Sequence, residues 1–184
     1  MEYLDIVDEN GEPTGEIVDR ETAHLNGIMH RTAHLWLARK KDNKVQILLQ
    51  KRSEDKDSFP GCYDISSAGH ITAGEDYKKS AIRELKEELG VSANESDLIY
   101  CGYRRIVLDE YFYKKPFHDR QYSKIFLLWT DLSESEFEVL TQEVSEVRWM
   151  DFDECVEGVR NGLFKNCIAL EELLIIKNYL ICNR

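Results

Sequence analysis

The sequence lacks both a membrane-spanning apolar run and a basic surface suited to nucleic acid. A membrane helix needs about 20 consecutive, mostly apolar residues, and charged residues interrupt the apolar segments of this 184-residue chain well before that length. Lysine and arginine total 24 against 35 aspartates and glutamates, which gives a net charge of −11. Because nucleic-acid binding depends on basic groups that release counterions, we expect neither a membrane nor a nucleic-acid polymer as a partner.

Paired cysteines, a targeting segment and internal repeats are also lacking. The five cysteines are odd in number and widely spaced, without a Cys-X-X-Cys pair. This pattern is typical of reduced thiols in a cytoplasm. The acidic N-terminal residues do not resemble a signal peptide or a transit peptide. We therefore expect a cytoplasmic protein.

One segment of 23 residues, from Gly69 to Val91, carries most of the chemical information in the chain. It consists of a glycine, five residues, Glu75, seven residues, and then Arg-Glu-Leu-Lys-Glu-Glu-Leu-Gly-Val. Gly69 and Gly74 precede a predicted helix, and glycine lets a backbone turn tightly and approach a ligand closely. The segment therefore predicts a loop followed by a helix that begins after Gly74.

Three glutamates of this segment fall on one face of the predicted helix. At about 100° per residue, Glu84, Glu87 and Glu88 are neighbours on the helix surface, where like charges repel one another. A hard divalent cation such as Mg²⁺ or Mn²⁺ prefers oxygen ligands and would explain the grouping. A solvated helix face would explain the adjacent glutamate pair alone, but it does not explain the whole pattern.

The complete pattern resembles the Nudix box of the Nudix pyrophosphohydrolases. The resemblance implies an α/β/α sandwich with a mixed sheet, and metal-dependent hydrolysis of a nucleoside diphosphate linked to another group, by attack of water at phosphorus. It implies that Glu84, Glu87, Glu88 and the carbonyl of Gly69 bind Mg²⁺ or Mn²⁺, with Glu84 and Glu88 as catalytic residues.

The resemblance also implies a structural pair and two cationic substrate contacts. Arg83 is expected to hold Glu75 and brace the loop against the helix, since a planar guanidinium can hold a carboxylate with two hydrogen bonds. Arg52 and Arg31 are expected to bind the substrate, although a solvated strand end would explain Arg52 equally well. The general base is either Glu84 or one of the loop acids Asp109, Glu110, Asp119 and Glu143.

The residues that flank the box resemble a second group, the isopentenyl-diphosphate isomerases, which share the Nudix fold. The resemblance rests on Met29-His30-Arg31, Arg52, Pro60-Gly61 and Ala68-Gly69-His70. In those enzymes, histidines that match His30 and His70 hold a metal together with another near His24. A structural role for each histidine is the alternative.

Two departures argue against isomerase activity. The isomerases carry a cysteine where this chain has Ala68, and a methyl group cannot transfer a proton. Their second proton-transfer group is an acid, and the best-aligned position here is Gln121. The sequence is thus predicted to be an isomerase-like Nudix hydrolase. Isomerase activity and non-catalytic nucleotide binding remain the alternatives.

The pattern along the chain predicts a single domain over residues 1–184. It divides into an N-terminal hairpin extension (1–27), a Nudix core (28–165) and a C-terminal helix (166–184). Strands are expected near 3–7, 16–18, 32–38, 45–50, 65–68, 100–107, 123–130 and 144–150, and helices over the box, 151–161 and 167–182. Residues 20–29 are expected to form a short helix or a loop.

Two surfaces suggest further contacts. The aromatic side chains Tyr111, Phe112, Tyr113 and Phe117 could stack on a base or pack on the core. The apolar final helix and the N-terminal hairpin offer a surface for a homodimer.

Overall fold

The computed structural model of the protein describes residues 2–56, 58–112, 115–139 and 142–182, and its centre is a seven-stranded mixed sheet. The strand order is β5-β4-β3-β8-β7, with β6 paired to β3 and β9 paired to β4; β1 and β2 form a separate two-stranded sheet. The strands are β1 (Tyr3–Val7), β2 (Pro13–Asp19), β3 (His30–Lys41), β4 (Lys44–Arg52), β5 (Tyr63–Asp64), β6 (Ser67–His70), β7 (Ile99–Phe112), β8 (Lys115–Trp129) and β9 (Val144–Asp151).

Four α-helices connect or cover these strands: α1 (Arg20–Asn26), α2 (Tyr77–Leu89), α3 (Phe152–Asn161) and α4 (Leu170–Cys182). Short 3₁₀ turns occupy Glu95–Asp97 and Glu134–Glu136. The box helix α2 begins after Asp76, whose carboxylate accepts a hydrogen bond from the backbone of Lys78, and ends at Gly90 in the left-handed conformation. Both ends follow ordinary capping chemistry.

The central strand β3 is buried on both faces, which explains its long apolar run. Leu35 and Leu37 belong to the core beneath α2. Trp36 and Ala38 belong to the core beneath α3 and α4. Because successive side chains of a strand point to opposite faces, the alternation assigns one helical layer to each side of the sheet. The expected α/β/α sandwich with a mixed sheet is confirmed.

The N-terminal hairpin is tied to the loop of the box. The backbone amide of Ala73 donates to the carbonyl of Tyr3 over 2.8 Å, and Leu4 forms a β-bridge with Thr72. The amide of Gly74 donates to Asp5 over 2.9 Å. The hairpin therefore fixes the position of the loop that precedes α2.

The structure differs from the sequence prediction in its longest hairpin. Strand β7 continues to Phe112 and β8 begins at Lys115, whereas the alternating apolar pattern predicted strands over 100–107 and 123–130 only. The extra residues pair with one another from Leu108↔Asp119 to Phe112↔Lys115. The consecutive exposed residues Asp109, Glu110 and Tyr111 interrupt apolar alternation, so the pattern gives no signal for this part of the strand.

The last helix also begins later than expected. Cys167 donates its backbone amide to the carbonyl of Tyr63, and Asn166 bridges to Tyr63. These residues extend the sheet edge, and α4 begins only at Leu170. Among the described residues, no helix is both long and apolar enough to span a membrane.

Candidate active site

Glu84 and Glu88 of α2 converge on strand β6. Gly69 lies directly under the Glu84 side chain, where an added Cβ would overlap the carboxylate. Ser67 lies two residues earlier on the same face of β6, and its side chain opposes the rise in the pKa of Glu88. Glu88 is 6% exposed, and within the part of the chain that the structure describes its Oε2 has no hydrogen-bond partner. The site thus contains a buried acceptor that protein groups do not satisfy.

The electrostatics of this pair favour a cation. Burial raises the pKa of Glu84 to about 7. Arg83 lowers this pKa, and repulsion from Glu87 offsets part of that lowering. Burial also raises the pKa of Glu88 to about 8, with Ser67 opposing and Glu84 reinforcing the shift. Positive charge bound between the two carboxylates would relieve both effects. The donor set, all oxygen, suits Mg²⁺ or Mn²⁺.

Arg83 lies at the centre of the remaining box residues. Its Nη1 is 2.8 Å from Glu84 Oε1 and 3.1 Å from Glu87 Oε2. Its Nε is 3.8 Å from Glu75 Oε2, which also accepts a hydrogen bond of 2.8 Å from Ser80. The guanidinium therefore contacts the helix carboxylates more closely than Glu75. Glu87 is the exposed member of the three glutamates, with 55% of its side chain accessible.

The two arginines expected to bind substrate already have protein partners. Arg31 is buried, forms an ion pair with Asp5 at 2.5 Å and donates to the Glu75 carbonyl over 3.0 Å. Arg52 donates to the carbonyl of Ser58 and to its hydroxyl, each over 3.0 Å, and to Asp64 over 3.2 Å. Both guanidiniums thus order loops beside the site, and substrate binding by either stays a prediction.

Asp5 was missed by the sequence analysis, although it links three parts of the site. Its carboxylate holds Arg31 on β3 and the Gly74 amide in the box loop. A lone acid in a short apolar strand gives no signal of such a role, because the pairing depends on how the hairpin packs.

The structure brings His24, His30 and His70 together. One ring nitrogen of each lies within 4.8 Å of the others. Asp119 Oδ1 is 3.6 Å from His24 Nε2 and 3.7 Å from His30 Nε2. Both His30 Nε2 and Asp119 Oδ1 are buried, and neither atom has a hydrogen-bond partner among the described residues. The cluster therefore combines imidazoles with an unsatisfied carboxylate oxygen.

Backbone carbonyls fix the tautomers of two of these rings. His24 Nδ1 is 2.9 Å from the carbonyl of Arg20, and His30 Nδ1 is 2.8 Å from that of Ile28. Because a carbonyl only accepts, each Nδ1 carries the proton, and a neutral ring then presents its Nε2 lone pair to the cluster. Burial lowers the pKa of His30 and, still further, that of His70, which favours neutral rings. These features suit a transition metal.

The carboxylate and histidine clusters lie on opposite faces of β6. Gly69 and His70 are adjacent, and strand alternation sends them to different sides of the sheet. Arg83 bridges the two regions, since its Nη2 donates to the His70 carbonyl over 3.4 Å. One short strand thus positions both groups.

A chain of aromatic rings adjoins the histidines. Phe59 contacts Phe112 at 5.5 Å between ring centroids, Phe112 contacts Phe117 at 5.3 Å, and Phe117 stacks on His24 at 4.7 Å. Tyr111 is 74% exposed, and strand alternation places it on the opposite face of β7 from Phe112. Tyr113 lies outside the described residues. The rings of Phe112 and Phe117 therefore connect the loop of Arg52 to the histidine cluster.

Gln121 is held in a buried polar chain. Its Nε2 donates to Asp119 over 2.6 Å, and its Oε1 accepts from Thr32 over 3.1 Å. Ala68 pairs with His34 on the neighbouring strand. The two positions that differ from the isomerase pattern thus carry a methyl group and a fully hydrogen-bonded amide, neither of which is an acid.

The four candidate loop bases occupy different surroundings. Glu143 acts electrostatically on Glu88 and forms an ion pair of 2.6 Å with Lys56. Asp119 belongs to the histidine cluster. Asp109 is held by His118 and Arg120 on the exposed hairpin. Glu110 is exposed on the same hairpin. Of the four, Glu143 is therefore the loop acid whose charge contributes to the raised pKa of Glu88.

Comparison with known proteins assigns the chain to a family. Residues 29–165 match the NUDIX domain. The chain belongs to the Nudix family. "Nudix hydrolase 3" of Arabidopsis thaliana is 37% identical over 158 residues, which cover 83% of this chain but only 20% of that protein. A Nudix hydrolase of Clostridium acetobutylicum is 33% identical over 162 residues, 88% of this chain and 76% of its own length.

Solved structures agree on the fold. The crystal structure of DR0079 from Deinococcus radiodurans superposes on this chain with a TM-score of 0.67 at 19% identity, and the match includes 100% of each chain. The domain match and the sequence relatives confirm the expected family, and the chain is a Nudix hydrolase. Nudix hydrolases generally require divalent cations and act on small molecules that contain a nucleoside diphosphate.

Proposed function

We propose that Glu84, Glu87, Glu88 and the Gly69 carbonyl bind Mg²⁺ or Mn²⁺ and that this Nudix pyrophosphohydrolase cleaves a nucleoside diphosphate linked to another group. The observation that carries the proposal is the unsatisfied, buried carboxylate of Glu88 beside Glu84 and β6. When bound there, the cation neutralises charge on the diphosphate and polarises the phosphorus that water attacks.

The protein residues divide the remaining work. Glu84 and Glu88 serve as catalytic carboxylates, and Arg83 keeps Glu84 and Glu87 at fixed positions. Asp5 and Arg31 hold the loop that carries Gly74. Glu84 or Glu143 accepts the proton of the attacking water, because the charges of both acids act on Glu88 and raise its pKa. Fixed positions reduce the entropy cost of assembling the reacting groups.

The substrate is a small molecule with an aromatic part. Phe112 and Phe117 form an aromatic wall beside the histidine cluster, and their rings offer a surface for a base. Arg52 adds a cation near the diphosphate. The net charge of −11 disfavours a nucleic-acid polymer. The same charge distribution still permits a small anion, since a metal and local arginines can overcome it.

The test is a metal-dependent assay of nucleotide release. Wild-type protein would be incubated with nucleoside di- and triphosphates, sugar nucleotides and dinucleoside polyphosphates, with and without Mg²⁺ or Mn²⁺. Glu87→Gln and Glu88→Gln should lower turnover at limiting metal, and the exposed α3 residue Glu157, changed to Gln, is the matched control. Absence of metal-dependent turnover across the panel, or normal turnover in both site variants, would contradict the proposal.

We also propose that His24, His30, His70 and Asp119 bind a transition metal. Their unsatisfied buried atoms and fixed tautomers support it. Metal content after dialysis against Zn²⁺ or Mn²⁺ tests the idea, with His70→Ala as the site variant and His118→Ala as the control. Equal metal content in both variants would contradict it.

Isomerase activity and non-catalytic binding are the weaker alternatives. Ala68 and Gln121 supply no proton-transfer group, and a binding module would not require the complete carboxylate set. A double-bond shift of isopentenyl diphosphate by the wild-type protein would favour the first alternative.

A further inference from the structure

Strand β7 forms a long outer edge of the seven-stranded sheet. It spans Ile99–Phe112, 14 residues, and pairs with β8 on one side. Within the described ranges, no strand pairs with its other side. A long edge of this kind is a ready template for another strand, and proteins usually shorten or cover it. The edge is therefore a candidate interface.

The exposed face of this edge has a symmetric sequence. Tyr103, Arg105, Val107, Asp109 and Tyr111 alternate along β7, and all of them are exposed. Val107 is 66% and Tyr111 is 74% exposed. The order is aromatic, cation, valine, anion, aromatic. It keeps its aromatic and apolar pattern when reversed, and its two charges exchange sign.

Such a sequence is complementary to itself in an antiparallel pair. In a two-fold pair centred on Val107, Arg105 lies opposite Asp109 of the partner subunit. Opposed residues of antiparallel strands share a face and stabilise the pair when their charges differ. Moving the centre to a neighbouring residue would place Arg105 opposite Val107 or Tyr111 instead. Only the register centred on Val107 therefore matches the charges.

The opposite face of β7 matches in the same register. Ile106 lies opposite Leu108 of the partner subunit, and Arg104 lies opposite Glu110 of the partner subunit. Within the described residues, Arg105 and Glu110 form no ion pair in a single copy, although both are charged and exposed. Pairing would bring Arg105 to Asp109 of the partner subunit, and Asp109 also keeps its contacts with His118 and Arg120 in its own chain. Arg104 keeps Glu171 and Glu172 as its partners, so the Arg105–Asp109 contact is the one that defines the register.

The end of the strand offers an apolar contact in this register. Phe112 of the partner subunit lies opposite Gly102, which has no side chain, and its ring keeps its contacts with Phe59 and Phe117 of its own chain. Beside Gly102 is a groove of ≈ 460 Å³ between β7 and α4, with Tyr103, Ile175 and Tyr179 among its lining residues. The groove is continuous with the edge.

We propose that two copies of this chain associate through β7, paired antiparallel about Val107, so that the two sheets become one continuous sheet. The partner is a second copy because charge and apolar complementarity are satisfied by the strand itself. The proposal is independent of the hydrolase activity, since these side chains lie outside the carboxylate site.

Charge reversal tests the register. Sedimentation equilibrium of the full chain should show a dimer. Arg105→Glu creates two repulsive Glu–Asp pairs across the interface, and Asp109→Arg creates two repulsive Arg–Arg pairs. Each substitution should therefore weaken the dimer roughly tenfold or more. An equimolar mixture should recover dimer, because both contacts in the mixed pair become complementary. Arg160→Glu, an exposed reversal on α3, is the control.

The outcomes separate the proposal from its alternatives. A monomeric wild-type protein would overturn it, and so would a dimer that neither reversal weakens. If Asp109→Arg fails to fold, as judged by circular dichroism, Val107→Lys replaces it, since two lysines would then meet at the two-fold axis. A dimer that survives Val107→Lys and Arg105→Glu would use another surface.

Discussion

Gly69 determines how closely the box helix approaches strand β6. A side chain at this position would occupy the space of the Glu84 carboxylate. Its backbone has no positive φ that would require glycine. The constraint is therefore one of space between two elements.

We predict that Gly69→Ala reduces metal-dependent turnover by about a hundredfold, because a displacement of roughly 1 Å at a reacting group has that effect. Steady-state kinetics at varied Mg²⁺ would measure it. Ser92→Ala, at an exposed position outside the carboxylate site, is the control. Unchanged metal affinity and turnover in Gly69→Ala would show that Glu84 does not depend on this approach.

At the same scale, the sequence predicted residue types better than residue partners. Spacing identified Glu84, Glu87 and Glu88 because helical periodicity alone places them on one face. The partners of Arg31 and Arg52 depend on Asp5 and Ser58, which reach the site through loops and hairpins. No local pattern specifies such contacts, so the sequence could not distinguish a substrate contact from a loop anchor.

At the scale of elements, helix α4 is fixed to the sheet through one buried carboxylate. Glu172 is 1% exposed and accepts from Trp36 Nε1 over 2.9 Å and from Arg104 Nη1 over 2.9 Å. It also contacts His34 Nδ1 at 2.9 Å. Three strand side chains thus hold the first turn of α4, at a residue that the apolar helix pattern did not single out.

This network predicts a dependence of stability on pH. Burial would lower the pKa of His34, but Glu172 and Asp64 outweigh burial and Arg104, and raise it above 6.5. Burial would raise the pKa of Glu172, but His34 and Arg104 lower it from 4.5 to about 2. The His34 contribution is therefore complete below pH 6.5 and is lost as pH rises through the folded pKa. The Glu172 contribution is lost as pH falls from 4.5 towards 2.

We expect His34→Gln to lower the free energy of unfolding by about 1–3 kcal/mol near neutral pH, because Glu172 loses a charged partner. Above pH 6.5, unfolding in urea should show a steeper loss of stability in the wild type than in the variant. The exposed His118, changed to Gln, provides the control. Parallel pH profiles for the wild type and His34→Gln would contradict this account.

Sequence patterns predict some of the helices and strands and miss others. The sheet, α2 and α3 follow from alternation, helical periodicity and capping residues. The outer half of the β7–β8 hairpin does not, because its side chains do not alternate between apolar and polar along the strands. That segment carries Phe117 and Asp119, and no local pattern in the sequence shows that both of them lie beside His24.

For the whole molecule, the carboxylate site opposes folding until a cation binds. Glu88 is buried without a partner for Oε2, and an unpaired buried carboxylate is costly. Without metal, Glu88→Gln should therefore be more stable than the wild type, by about 1–3 kcal/mol. Saturating Mg²⁺ should stabilise the wild type by about 2.7 kcal/mol at a hundred times the dissociation constant. The variant has lost a ligand and should gain less.

The difference in unfolding free energy between Glu88→Gln and the wild type should consequently become smaller or change sign when Mg²⁺ is added. Thermal or urea unfolding in chelator and in Mg²⁺ would measure the change, with the exposed Glu157→Gln as the control. If Glu88→Gln is less stable than the wild type in chelator, Glu88 has a structural role that outweighs its burial cost. If both proteins gain equally from Mg²⁺, Glu88 is not a ligand. The two readouts thus separate the contribution of Glu88 to folding from its contribution to metal binding.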